Sequence, residues 1–131
     1  DVLGLLHETG HAWNEKDQLD LFNATYAYNR ALIDTRLPES ERTAAPERLQ
    51  GAVMKAERNA WAWALRETRK IRRENKIDLL KDFNGVKDLK GYIDYFLMGY
   101  EQTLKQVREK EMIYAGPLTA AEIEEYTGNT K

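Results

Sequence analysis

The chain has 131 residues and a net charge of −2, so a single near-neutral domain is expected. Such a charge balance gives no global basic field that would attract nucleic acid or an anionic membrane. The absence of cysteine excludes disulfides and thiolate zinc sites in this sequence. No apolar run approaches the length of a transmembrane helix. We therefore expect a cytoplasmic domain with no membrane or nucleic-acid partner.

The segment Asp1–Asn14 predicts a helix that carries an H-E-x-x-H motif, from His7 to His11. Residues four apart lie on one face of a helix, so both imidazoles can bind the same metal ion. Glu8 lies about 100° further round the helix, where its carboxylate would reach a water on that ion. The alternative is a helix that carries two histidines by coincidence.

The apolar residues of this first helix predict which of its faces is buried. They recur at steps of three or four positions, so we expect them to pack against a neighbouring helix while the histidines project from another face. Gly10 would leave room between the histidines for an ion or for a close backbone. The predicted buried stripe consists of Val2, Leu5, Leu6, Thr9, Ala12 and Trp13.

A second helix is predicted from about Gln18 to Arg36, after a polar turn over Asn14–Asp17. The following segment, Leu37–Pro46, predicts a surface connection, because Pro38 should stop one helix and Pro46 suits the first turn of the next. The predicted stripe of the second helix consists of Leu19, Phe22, Tyr26, Asn29 and Ile33.

A long third helix is predicted from about Pro46 to Asn75, with a carboxylate in its buried stripe. A buried, unpaired carboxylate costs several kcal/mol, so Glu57 must find a cation, strong hydrogen-bond donors or a proton. A catalytic zinc usually takes three protein ligands, and with only two histidines in the chain the third must be a carboxylate. Glu57 fits that role, and the alternative is a buried pair with an arginine such as Arg30. The stripe consists of Val53, Glu57, Ala60, Trp61, Ala64, Thr68 and Ile71.

The basic stretch Arg66–Lys76 ends this third helix, and we interpret it as a solvated face whose cations complement the helix dipole. A nucleic-acid patch is the alternative. Lys76–Phe83 predicts a short helical turn or a strand, and Asn84-Gly85 indicates a turn.

Two further helices are predicted in the remaining sequence. One runs from about Val86 to Glu111, with a stripe that extends from Leu89 through Phe96 to Val107. Thr119 and Glu122 form a capping box for a last helix, Ala120 to about Tyr126, and a frayed tail is expected from Gly128 onward.

The motifs at His7–His11 and Glu57–Ala64 together resemble the zinc-dependent peptidase family named after ImmA and IrrE. That family combines an H-E-x-x-H helix with a later helix of the form E-x-x-A-x-x-F-A, and here Trp63 stands where the family often has phenylalanine. The resemblance covers roughly the first half of the chain. It implies a gluzincin-type site, with His7, His11 and Glu57 as Zn²⁺ ligands and Glu8 as the base. The implied substrate is a protein or peptide, often a regulatory protein.

Such peptidases bind substrate along a strand that precedes the H-E-x-x-H helix, so we expect this chain to be a fragment that lacks an upstream β-sheet. The predicted fold is all-α with a zincin-like helical active-site core. We expect a single metallopeptidase-like domain over residues 1–131, with a core over 1–75 and a C-terminal helical extension over 76–131.

The predicted function is a zinc-dependent peptidase, or the metal-binding part of one. The alternative is a catalytically inactive helical module that regulates a partner protein. Tyr26, Tyr28 and Arg30 are candidate donors to an oxyanion, and the sequence does not choose among them. It also leaves the oligomeric state open.

Overall fold

The computed structural model describes residues 1–96 and 117–128, which form helices connected by turns, without a strand in either range. The predicted all-α fold is therefore confirmed. Of the helices described, none has both the length and the apolar character that crossing a bilayer requires. The helices are α1 (Val2–Trp13), α2 (Glu15–Ile33), α3 (Glu39–Asn75), α4 (Gly85–Tyr95) and α5 (Ala120–Thr127).

Helix α3 is the central element, and α1, α2 and α5 pack against it. Its predicted stripe is confirmed from Val53 to Thr68, whereas Ile71 at the end is only partly buried. The larger hydrophobic cluster joins α1, α3, α4 and α5 around Trp61 and Leu65. A smaller cluster joins α2 to α3 through Ala24, Leu49 and Val53. Residues on both sides of position 76 thus share one core.

The segment predicted as a surface connection, Leu37–Pro46, is mostly helical, so that prediction was wrong. Helix α3 begins at Glu39, and Pro46 lies inside it. An interior proline removes one backbone hydrogen bond and disfavours the helix. Burial of Ala45 and Leu49 on either side of Pro46 offsets that cost, because these side chains lie within the packed part of the molecule.

Helix α1 buries a different face from the one that its apolar residues predicted. Leu3, His7 and Gly10 are buried, whereas Leu5 and Trp13 are 66% and 71% exposed. The prediction assumed that histidines remain in solvent. In the structure the Nε2 atom of each histidine has a hydrogen-bond partner on α3, which offsets the cost of burying that atom.

Helix α2 also turns its predicted stripe outward, and Leu19, Phe22, Tyr26 and Ile33 are exposed. Its buried residues are Asp17 and Ala24. The small side chain of Ala24 lets α2 pack closely on α3, and Asp17 accepts a hydrogen bond from the Asn59 side chain at 2.7 Å.

The predicted polar turn over Asn14–Asp17 is reduced to a single residue. Asn14 is the only residue between α1 and α2, and its Nδ2 donates to the carbonyl oxygen of Gly10 at 2.6 Å. This hydrogen bond fixes a tight elbow, and the first turn of α2 therefore lies beside the last turn of α1.

Helix α3 ends at Asn75, and its C-cap residue Lys76 adopts the left-handed conformation (φ 58°). The segment that follows, up to α4, consists of turns and contains no strand. Helix α4 buries Leu89 and Ile93 of its predicted stripe together with Val86, whereas Phe96 of that stripe is 36% exposed. The later part of that prediction, residues 97–111, lies outside the described residues.

Helix α5 is confirmed, including its capping box between Thr119 and Glu122. Part of the basic stretch of α3 holds this helix. The Arg66 guanidinium lies 5.3 Å from the centre of the Tyr126 ring, and Arg72 donates to the carbonyl oxygen of Thr127 at 2.9 Å. These arginines therefore stabilise helix packing in addition to meeting solvent. The predicted tail beyond Gly128 lies outside the described residues.

Candidate metal centre

His7, His11 and Glu57 meet where α1 packs on α3. Glu57 Oε2 lies 2.8 Å from His7 Nε2, and Glu57 Oε1 lies 2.9 Å from His11 Nε2. The two Nε2 atoms are 3.1 Å apart. Residues separated by some fifty positions in the sequence are thus joined at one point, and the three proposed ligands lie within reach of one another.

Close contact between α1 and α3 at Gly10 makes this convergence possible. A Cβ atom on Gly10 would lie 2.5 Å from the carbonyl oxygen of Ala60 and 3.0 Å from its Cα. Because both of those atoms belong to the α3 backbone, any side chain at position 10 would push the helices apart. Gly10 therefore sets the depth at which the two histidines meet Glu57, as the sequence suggested for a close backbone.

The chemistry of the cluster fits a metal ion. If both Nε2 atoms carry protons and donate to Glu57, they cannot also hydrogen-bond to each other across 3.1 Å. A cation that accepts lone pairs from all three side chains would remove this conflict. Ligand atoms at about 2.0–2.1 Å from a tetrahedral zinc stand about 3.3 Å apart, close to the spacing seen here. The group could therefore hold a metal ion.

The electrostatics of the cluster keep Glu57 ionised. Burial alone would raise the pKa of this carboxyl, but hydrogen bonds from His11 and His7 outweigh burial and lower the pKa to about 2. Burial acts to lower the pKa of His11, and the hydrogen bond and charge of Glu57 outweigh it, so that pKa is raised. At neutral pH Glu57 is thus a carboxylate, the form that binds a cation.

Packing holds the His7 ring. It stacks on Trp61 with ring centres 4.2 Å apart and an interplanar angle of 11°, and Phe96 lies edge-on to it at 5.8 Å. His7 Nδ1 is buried and has no hydrogen-bond partner among the described residues. The carboxylate of Glu8 lies near this nitrogen, with its Oε1 3.6 Å away.

His11 is held by the start of α2. Gln18 Nε2 lies 3.2 Å from His11 Nδ1, and the charge of nearby Asp17 contributes to the raised pKa of His11. The sequence placed both residues at the edge of a polar turn and gave them no role. The available sequence signal was the short polar segment that follows His11. Which residues of that segment contact His11 depends on the tight turn at Asn14.

The remaining predicted site residues lie at or beyond the edge of the cluster. The Glu8 side chain is 71% exposed. Tyr26 and Arg30 line a cavity that Ala45 also lines. Ala45 lies about 18 Å from Glu57 along α3, since each helical residue rises about 1.5 Å. Tyr28 packs on the smaller hydrophobic cluster. Tyr26 and Arg30 therefore do not lie beside the group formed by His7, His11 and Glu57.

Glu57 has no arginine partner among the described contacts, and the proposed pair with Arg30 was wrong. The carboxylate accepts from both histidines, whereas Arg30 Nε lies 3.9 Å from the carboxylate of Asp34, the C-cap residue of α2. The buried charge of Glu57 is thus compensated by imidazoles.

Comparison with known proteins identifies no relative of this chain. No protein-family model, curated protein or solved structure matches it. The case for a function therefore rests on the motifs and on the geometry of the cluster.

Proposed function

We propose that the chain is a zinc-dependent peptidase, or the metal-binding part of one, that acts on a protein or peptide substrate. The observation that carries the proposal is the convergence of His7 Nε2, His11 Nε2 and the Glu57 carboxylate at one point. Three protein ligands leave one position of a tetrahedral ion for water or substrate, which is the arrangement of catalytic zinc. The motif resemblance to ImmA- and IrrE-type peptidases supports the substrate class.

The ligand types favour zinc over the hard cations. Ca²⁺ and Mg²⁺ are bound almost entirely by oxygen ligands, whereas this cluster supplies two imidazole nitrogens and one carboxylate. Fe²⁺ in oxygenases takes the same set of two histidines and one carboxylate. Identification of the metal retained by the purified protein therefore tests the choice of zinc directly.

In the proposed reaction, zinc would act as a Lewis acid on the scissile carbonyl and lower the pKa of water toward about 7. Glu8 takes the proton from the attacking water and returns it to the leaving amine. Its carboxylate lies beside His7 Nδ1, and the exposed side chain is free to change rotamer toward the Nε2 side. Stacking on Trp61 holds His7 in place while Glu8 moves.

The proposal is tested by incubating the zinc-loaded chain with a library of quenched fluorescent peptides. Cleavage is expected to require zinc, to stop with a chelator, and to fall in Glu8→Gln while that variant keeps its zinc. A zinc-loaded chain that cleaves nothing would exclude a peptidase that acts through these residues alone and leave only the metal-binding part of one. A Glu8→Gln variant as active as the parent would contradict the role of Glu8 as the base.

A second candidate is a helical interaction module without catalysis, and the exposed apolar residues of α2 favour it. Phe22 is 69% exposed, Tyr26 64% and Ile33 82%, and contiguous exposed apolar residues are typical of protein-interaction surfaces. This function needs no metal at the histidines. A chain that neither retains nor takes up a metal ion would support it over the peptidase.

A further inference from the structure

We propose that Gln18 is a positioning residue for His11, and that its side-chain amide reverses its orientation when the metal binds. The proposal rests on the metal centre proposed above. Gln18 is on the first turns of α2, and the elbow at Asn14 brings its side chain against the outer edge of the His11 ring. Its Nε2 lies 3.2 Å from His11 Nδ1.

The two histidines differ in how their rings are fixed. His7 is buried and stacked on Trp61, which restricts its ring although no described residue hydrogen-bonds to its Nδ1. The His11 side chain is 17% exposed, and the described ring contact that it makes is edge-on to His7. The χ2 torsion of histidine takes a broad range of values. A hydrogen bond at Nδ1 is therefore needed to keep Nε2 directed toward Glu57 and the proposed metal. Gln18 is in place to do this for His11.

The proton on the His11 ring must move when a metal binds. When the neutral His11 ring donates from Nε2 to Glu57, Nδ1 is the acceptor, and Gln18 Nε2, which lies 3.2 Å away, donates to it. A metal on Nε2 removes that proton, and the neutral ring then carries its proton on Nδ1. Gln18 must now accept, which it does by turning its amide through about 180° to present Oε1.

Glutamine suits this position because one side chain offers a donor and an acceptor at the same reach. Glutamate at position 18 would only accept, and would therefore favour the metal-bound tautomer of His11. Methionine has a similar length but no strong hydrogen-bonding atom, so the His11 ring would lose the hydrogen bond at Nδ1 that orients it. Gln18→Met should consequently weaken metal binding, whereas Gln18→Glu should not.

The test is a zinc titration of the parent, Gln18→Glu and Gln18→Met, each in competition with a chromophoric chelator at pH 8. Loss of an outer partner of a ligating histidine typically costs 10–100-fold in metal affinity, and we expect about 10-fold for Gln18→Met because the contact is exposed. Gln18→Glu should bind zinc at least as tightly as the parent. Asn23→Asp, an exposed change on the same helix, adds the same charge and should match the parent.

A spectroscopic readout separates positioning from a general structural effect. In ¹⁵N NMR of the histidine rings at pH 8, the parent should carry the His11 proton on Nε2 without zinc and on Nδ1 with zinc. Gln18→Glu should already favour Nδ1–H in the metal-free protein. Thermal unfolding with chelator present checks that each variant is folded.

The possible failures are distinguishable. A parent that binds no zinc would overturn the metal centre and the role of Gln18 together. A parent that binds zinc, with both Gln18 variants within twofold of its affinity and with unchanged His11 tautomers, would overturn the role of Gln18 alone.

Discussion

Replacement of Gly10 by alanine should separate α1 from α3 and weaken both the fold and the metal site. The new Cβ would lie 2.5 Å from the carbonyl oxygen of Ala60, a backbone atom that cannot rotate away. An ordinary contact needs about 3.4 Å, so the helices must move apart by about 0.9 Å locally. Ligand geometry tolerates only about 0.5 Å, and metal affinity should therefore fall at least tenfold.

The effect on stability can be isolated with a matched glycine. Gly51 lies in α3, where an added Cβ would meet no described atom within 4 Å outside its own stretch of helix, so Gly51→Ala should raise the free energy of unfolding by roughly 0.5–1 kcal/mol through helix propensity alone. Gly10→Ala gains the same propensity but adds an overpacking cost of about 1–3 kcal/mol. The difference between the two variants should therefore be about 1–3 kcal/mol.

Urea unfolding of both variants with a chelator present measures that difference without any contribution from metal. Zinc titrations of the same samples then measure the shift at the ligands. If Gly10→Ala is as stable as Gly51→Ala and binds zinc like the parent, close packing at Gly10 does not position the histidines.

Three further predictions concern Glu57, His11 and Glu8. A chelator should lower the melting temperature of the zinc-loaded parent but not of Glu57→Ala, because binding to the native state alone stabilises it; equal sensitivity would exclude Glu57 as a ligand. In metal-free protein the raised pKa of His11 makes stability fall as pH rises above about 6.5, and the lowered pKa of Glu57 makes it fall as pH drops from about 4.5 toward 2. Urea titrations across this range should show both losses shrink in Glu57→Gln, and an unchanged profile would refute the pairing. Glu8→Gln should keep its zinc and lose at least about 10² in peptide hydrolysis; a rate above half the parental value would exclude Glu8 as the base.

The convergence of His7, His11 and Glu57 and the buried face of α3 could be predicted because the spacing of residues carries that information. A carboxylate in the middle of an apolar stripe needs a partner, and the H-E-x-x-H pattern supplies two. Ala60 and Gly10 indicated close backbone packing, and the structure pairs them directly. Local sequence was sufficient here because each feature points to the same helix contact.

The faces of α1 and α2 could not be predicted from apolar periodicity. On α1 the face that carries His7 is buried because His7 hydrogen-bonds to Glu57, and Leu5, which lies on another face, is exposed. The start of α3 was missed because Pro46 suggested a helix start, whereas packing around it sustains a helix from Glu39. The roles of Asp17 and Gln18 depend on the angle of the elbow at Asn14, which no pattern in the chain specifies.

The metal content of the purified chain tests the central claim most directly. After extensive dialysis, elemental analysis should find about one equivalent of zinc per chain, retained in Glu8→Gln and lost in Glu57→Ala. Less than about a tenth of an equivalent in the parent, together with no binding of added zinc, would contradict a metal centre at His7, His11 and Glu57.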